Sequence, residues 1–187
     1  MSIDTILKWN LDNILPVKYF SKLYDEIEVE LKKIDGWILK LDPSMKENDF
    51  KKLVKFRENL TSQMSRLSYL PHLMEAVDQK NSVAKLYKSQ TDNLFLEYSH
   101  KTRPISHWLK GKKIKGKEKL DDKNAKRLFG AIKDLEYSLN YNRLAAKYTL
   151  SQKEEIIIAQ KDISGSNVLI DLRNLIETEF KYEIKKK

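Results

Sequence analysis

Apolar residues recur by threes and fours over most of this chain, and that spacing admits helices and little else. Phe20, Leu23, Ile27, Leu31, Ile34, Ile38 and Leu41 form one stripe, the period of an amphipathic α-helix with one buried face. Asp42-Pro43-Ser44 ends it. A second stripe runs through Leu53, Phe56, Leu60, Met64, Leu67 and Leu70, with Asn48 or Asp49 as its cap, and Pro71 is expected to break or kink the chain beyond it. A third helix is expected from about Asn81 to Ser99, with Val83, Tyr87, Gln90, Leu94 and Tyr98 on one face. Residues His72 to Lys80 read as a helical connection, and Thr102-Arg103-Pro104 as an interruption before a short turn carrying Ile105, Trp108 and Leu109.

The segment Lys110 to Lys119 holds six lysines, two glycines and a single apolar residue, Ile114. It is expected to be a basic surface loop, too poor in apolar groups to be buried. Asp121 or Asp122 then caps a helix expected from Lys123 to Lys147, with Ala125, Leu128, Ile132, Leu135 and Leu139 inward. Ser151-Gln-Lys-Glu154 is a capping box that starts a short helix. Ser164-Gly165-Ser166 is expected to turn the chain into a last helix, to about Thr178, with Val168, Leu172, Leu175 and Ile176 inward.

Beyond that helix, Phe180, Tyr182 and Ile184 alternate with charged residues, the period of a half-buried strand. The fold class expected is therefore all-α. It is a bundle of long antiparallel amphipathic helices forming a single domain over residues 1–187, with a short strand-like C-terminal tail from Phe180 to Lys187. A lone strand has no sheet to join. Phe180, Tyr182 and Ile184 are thus the expected interface with a structural element outside this chain.

Composition narrows the chemistry. The 187 residues are 41% apolar with few glycines and prolines, which suits helices and argues against wholesale disorder. There is no cysteine, hence no disulfide framework and no thiolate nucleophile, which fits a reducing, cytoplasmic setting. No signal peptide or membrane-length apolar run is visible. The net charge of +9 arises from 36 basic and 27 acidic residues mixed along the chain. That pattern fits a solvated surface better than a nucleic-acid patch. Three histidines permit a nearly full search for metal sites. No His-Glu-x-x-His is present, and His72-Leu-Met-Glu75-Ala76 only opens the inverted motif. Glu97 and His100, one turn apart with His107 downstream, have a spacing that could support a weak metal contact, but a surface ion pair and a loop histidine is the favoured reading. There is no Gly-x-Ser-x-Gly and no phosphate-binding glycine loop. Tyr19, Phe20, Tyr24, Tyr137, Tyr141 and Tyr148 fall on or beside helical stripes and are expected to pack in the core. No catalytic residue, metal ligand or cofactor site is identified in this chain.

Several segments nevertheless resemble one family. Leu120 to Phe129, Asp134 to Leu139, Arg143 to Ser151 with Glu154-Glu155, and Lys161 to Gly165 are similar to oligoendopeptidase F, a branch of the thimet-type zinc oligopeptidases. The most specific part is Tyr148-Thr-Leu-Ser-Gln-Lys-Glu-Glu155. Trp9 to Pro16 resembles the family's opening Trp-Asp-Leu segment, with Asn10 where Asp is usual. The resemblance implies a non-catalytic N-terminal helical lobe that walls a substrate channel. A C-terminal catalytic lobe carries His-Glu-x-x-His and the zinc, and short peptides are the substrate of the two-lobed metalloendopeptidase. None of the catalytic residues lies in this chain. The competing readings are a free-standing helical adaptor that adds its final strand to a partner's sheet edge, and a nucleic-acid binder using Lys110 to Lys119.

Overall fold

The computed structural model describes residues 15–180, and all regular secondary structure among them is helical. After a single 3-10 turn at Val17–Tyr19 come α1 (Phe20–Leu39), α2 (Glu47–Val77) and α3 (Ser82–Leu109). The chain continues through α4 (Asp122–Gly130), α5 (Lys133–Leu144), a 3-10 turn at Ala145–Tyr148, α6 (Gln152–Lys161), a π-helical stretch at Asp162–Asn167, and α7 (Val168–Glu179).

The first three helices form the body. The α1 stripe buries Phe20, Leu23, Ile27, Leu31 and Ile34. The α2 stripe buries Leu53, Leu60, Met64, Leu67 and Leu70. Between them α3 inserts Leu94, Ile105 and Trp108. Phe20 stacks on Tyr87 with ring centroids 3.8 Å apart. The indole of Trp108 has no exposed surface, and its N–H donates to the Glu118 carbonyl at 2.9 Å, so its one polar atom is satisfied inside the core. Burying one such side chain contributes on the order of 2–3 kcal/mol before ordering costs.

Both prolines expected to interrupt helices are accommodated. Pro71 lies inside α2, which runs on to Val77, and Pro104 lies inside α3, which runs on to Leu109. The connection expected at His72 to Lys80 is mostly the end of α2. Packing explains the continuity, because Pro71 is itself buried and Ile105, Trp108 and Leu109 continue the inward face beyond Pro104. That burial offsets the lost helix hydrogen bond. The inward face of α3 is also rotated from the expected one. Ala84, Thr91, Leu94, Thr102 and Ile105 are buried while Val83 is exposed. Ala and Thr are weak hydrophobic signals, so hydropathy does not reveal this stripe. The helix cap is Asn81, whose side chain accepts from the Ala84 amide at 3.0 Å. The start of α2 uses neither Asn48 nor Asp49, since Lys46 holds the N-cap position without a side-chain bond.

The basic segment is built into the fold. Gly111 and Gly116 take φ of +74° and +71°, the left-handed region that glycine enters without strain. Their turns fold the loop back so that Ile114 and Leu120 join the core, correcting the expectation that nothing here is buried. Lys117 Nζ donates to the Leu39 carbonyl at the end of α1.

The long helix expected from Lys123 to Lys147 is two helices. Asp121 caps α4 by accepting from the Asn124 amide at 2.9 Å. Helix α4 ends at Gly130, and Ile132, with φ −126° and ψ 79°, leaves the helical region before α5 begins. Arg127 fixes α4 to the α1–α2 turn by donating to the carbonyls of Pro43 and Met45 at 2.9 and 3.0 Å. Arg143 fixes α5 by donating to the carbonyls of Leu109 at 3.1 Å and Leu120 at 2.6 Å and pairing with Asp122.

The expected turn at Ser164-Gly165-Ser166 is absent. Backbone angles stay helical from Lys161 through Val168, so α6, the π stretch and α7 form one rod over residues 152–179. At 1.5 Å per residue it is roughly 40 Å long. The capping box at its start is present: the Ser151 amide donates to Glu154 at 2.7 Å and the Glu154 amide to Ser151 Oγ at 3.3 Å. The expected fold class is corrected at its end as well. Among the described residues there is no β-strand; Phe180 follows α7 as its cap, its N–H on the Glu177 carbonyl, and is 61% exposed. No sheet exists among them for a strand to join. Tyr182 and Ile184 lie outside the described residues.

Two glycines make opposite predictions. A Cβ at Gly36, inside α1, meets nothing within 4 Å, so Gly36→Ala should stabilise the fold by about 0.5–1 kcal/mol. At Gly111 a Cβ would stand 2.8 Å from the Arg143 guanidinium, which three carbonyl and carboxylate partners hold in place, and φ is positive. Gly111→Ala should cost at least about 1–2 kcal/mol. Urea denaturation of the two variants measures both signs.

Candidate functional site

The body and the rod differ in how they treat apolar side chains. Among the described residues, all fully buried hydrophobic side chains lie in α1 to α4 or in the segments next to them. No residue of α5, α6 or α7 is fully buried. Leu135 and Leu139 of α5 pack partly on the core, but nothing from the rod does. The side chains left outside are large. Tyr137, Tyr141, Leu144 and Tyr148 on one stretch, and Ile157, Leu169 and Ile176 on the rod, are between about half and four-fifths exposed. The expected inward set Val168, Leu172, Leu175 and Ile176 is exposed too, as are Tyr19, Tyr137, Tyr141 and Tyr148, while Phe20 and Tyr24 pack as expected. The apolar period of the rod is helical, but a periodic stripe does not say whether anything covers it. Large apolar side chains left exposed this densely along the chain suit an interaction face.

Beneath this face runs a polar seam. The rod lies antiparallel to α3, as its ion pairs show. Near its start Glu155 Oε2 stands 3.1 Å from His107 Nε2 and 3.4 Å from Arg103 Nη1. In its second half Asp171 accepts from Lys88 Nζ at 2.5 Å, and at its end Glu179 meets Lys80 Nζ at 2.5 Å. Lys88 is also 3.3 Å from Glu75 of α2. Burial disfavours the Lys88 charge, but its bonds to Asp171 and Glu75 and their negative charges more than offset this, and its pKa is raised. At the neighbouring Asp92, burial pushes the carboxyl pKa up, against the pull of Lys88 and His72.

Cavities accompany these pairs. One of about 420 Å³ separates α3 from the second half of the rod, between Lys88, Asp92, Val168 and Leu172. A second of about 380 Å³ continues it toward His72 and Glu75 of α2. A third of about 230 Å³ lies between Glu97, His100, Arg103 and Ile156. The histidines named in the sequence are thus dispersed: His72 and His100 line different cavities, and His107 is buried against Glu155. The sequence singles out Glu155 only through the family resemblance; its pairing is set by α3, far away in the chain.

No group of three or more His, Cys, Asp or Glu residues is placed to hold a metal ion among the described residues. The terms zinc, metalloendopeptidase and hydrolase, which the family resemblance brought, are therefore corrected for this chain. His72 and Glu75 line one cavity while Glu97 and His100 line another, so the four do not converge on a common point. No described helix is long and apolar enough to cross a membrane. No family model matches the chain, and neither a curated protein nor a solved structure matches it.

The raised pKa of Asp92 carries a stability prediction. Its folded-state value exceeds the ordinary value of 3.8, so the folded protein holds the proton more tightly than the unfolded chain, and stability falls as pH rises through that window. At pH 7 the penalty is fully present. Asp92→Asn should therefore raise Tm at pH 7, and the gain should vanish below about pH 3, where both states carry the proton. Calorimetry across pH tests this.

Proposed function

We propose that this chain is a non-catalytic helical lobe that docks another protein surface through the outer face of α5, α6 and α7. The observation that carries the reading is that α5 to α7 bury no side chain fully and leave Tyr137, Tyr141, Leu144, Tyr148, Leu169 and Ile176 exposed, a denser run than the scattered Leu39, Tyr69, Val77 and Leu86 of the body. The resemblance of Tyr148 to Glu155 and its flanking segments supplies the partner's character. The partner is the other lobe of an oligoendopeptidase F-like protein in the cytoplasm, and short peptides lie between the two lobes.

Standard interfaces bury about 800 Å² on each side, most of their energy coming from a few aromatic and aliphatic anchors. Tyr137, Tyr141, Leu169 and Ile176 are suited to that role, being exposed, large and mounted on helices. Phe180 extends the same apolar run. The nucleic-acid reading is weaker. Lys110 and Lys112 reach Thr149, and Lys117 reaches the Leu39 carbonyl, so the basic loop uses these ammonium groups internally.

The test uses this chain and a separately produced partner lobe. A complex of micromolar affinity or tighter is expected by calorimetry. Leu169→Asp with Ile176→Asp, one heptad apart on the exposed face, should weaken it at least about tenfold while leaving Tm of the free chain nearly unchanged. Absence of association at micromolar concentration, or association indifferent to the double variant, would sink the reading.

A further inference from the structure

We propose that the rod over residues 152–179 is a hinged arm, latched to α3 by ion pairs and able to leave the body as a unit without unfolding it. This concerns the inner face of the rod and holds whatever covers the outer one.

Three observations carry it. No rod side chain belongs to the hydrophobic core cluster or packs on it; Ile156, Ala159 and Ile163 are only half-buried along the seam with α3. Removal of the rod therefore leaves the core of α1 to α4 intact. Second, the attachment is polar near each end and between them: Glu155 to His107 and Arg103, Asp171 to Lys88, Glu179 to Lys80. The partners on α3 are largely buried, Arg103 10% and Lys88 14% exposed, so their charges are firmly placed; Lys88 keeps Glu75 of α2 as a second counter-charge when the rod leaves. Third, between these pairs the seam is open, with cavities of about 420 and 230 Å³ where close packing would otherwise hold the helices together. Their walls are mixed, with Lys88, Asp92, His100 and Arg103 set among apolar side chains, and those polar groups give water a foothold where close packing is missing.

The hinge has a definite place in the chain. The backbone is extended at Thr149 and Ser151. At its start, Lys110 Nζ grips Thr149 Oγ1 at 3.0 Å and Lys112 Nζ the Thr149 carbonyl at 3.4 Å. Motion is thus confined to the residues after Thr149, while Arg143 keeps α5 on the body. The capping box at Ser151 keeps the first turn of α6 satisfied when the rod moves. Release would expose Leu172 and Leu175 fully and uncover the cations Lys88 and Arg103 on α3, with the His107 imidazole beside them.

The experiment is amide hydrogen exchange read by mass spectrometry on the full chain. In Glu155→Gln with Asp171→Asn, peptides within 152–179 should exchange at least about tenfold faster than in the parent, while peptides of α1 and α2 stay unchanged. Raising ionic strength from about 0.05 to about 1 M should act in the same direction on the parent. Ile156→Ala, which trims an apolar contact of the rod instead, should have the smaller effect. The inference is overturned if the charge variant leaves exchange in 152–179 unaltered, if Ile156→Ala matches or exceeds it, or if α1 and α2 accelerate together with the rod.

Discussion

Among the described residues, α1, α2 and the start of the rod all pack against α3. One side of that helix inserts Leu94, Ile105 and Trp108 between α1 and α2, and this burial holds the body together. The other side carries Lys88, Arg103 and His107 toward the rod. A helix with one dry face and one charged face imposes two kinds of attachment on its neighbours. Apolar packing scales with area and tolerates no gap. Ion pairing is local, depends on a few atoms and leaves room for water. The tight body and the open seam both result from that division.

The segment from Gly111 to Asp122 shows how small features support the body. Two left-handed glycines turn the loop back, Ile114 and Leu120 plug the end of the bundle, and the Trp108 indole finds its acceptor on Glu118. Arg143 then bonds carbonyls from both sides of that loop. These are charge-assisted hydrogen bonds, and leaving a buried carbonyl without a partner costs more than forming the bond contributes. The lysine-rich composition of the loop obscures this role, because charge alone gives no indication that backbone geometry is being used.

Lys88, Arg103 and His107 of α3 pair with groups of the rod, and large apolar side chains stand exposed on α5 to α7. The docking and the loosening proposed above are separable: the first would rest on Leu169, Ile176 and the exposed tyrosines, the second on Glu155 and Asp171.

The sequence by itself determined the helices of the body. The stripes from Phe20 to Ile34 and from Leu53 to Leu70 are spaced for burial and are largely buried, and the Ser151 box starts α6. These are local rules, in which a residue and its neighbours within a turn or two decide the outcome. Tertiary structure alone decided the rest. Pro71 and Pro104 stay inside helices because the residues around or beyond them are buried. The α3 face turned on Ala84 and Thr91, whose weak hydropathy carries no signal. The helix expected through Ile132 breaks after Gly130, where Arg127 and Arg143 pin its halves to different carbonyls. The turn expected at Gly165 became a continuous rod because its ion-pair partners lie in line along α3. Whether a stripe is covered, and by what, depends on residues distant in the chain or outside it. Periodicity reports the shape of a helix and not the neighbour it meets.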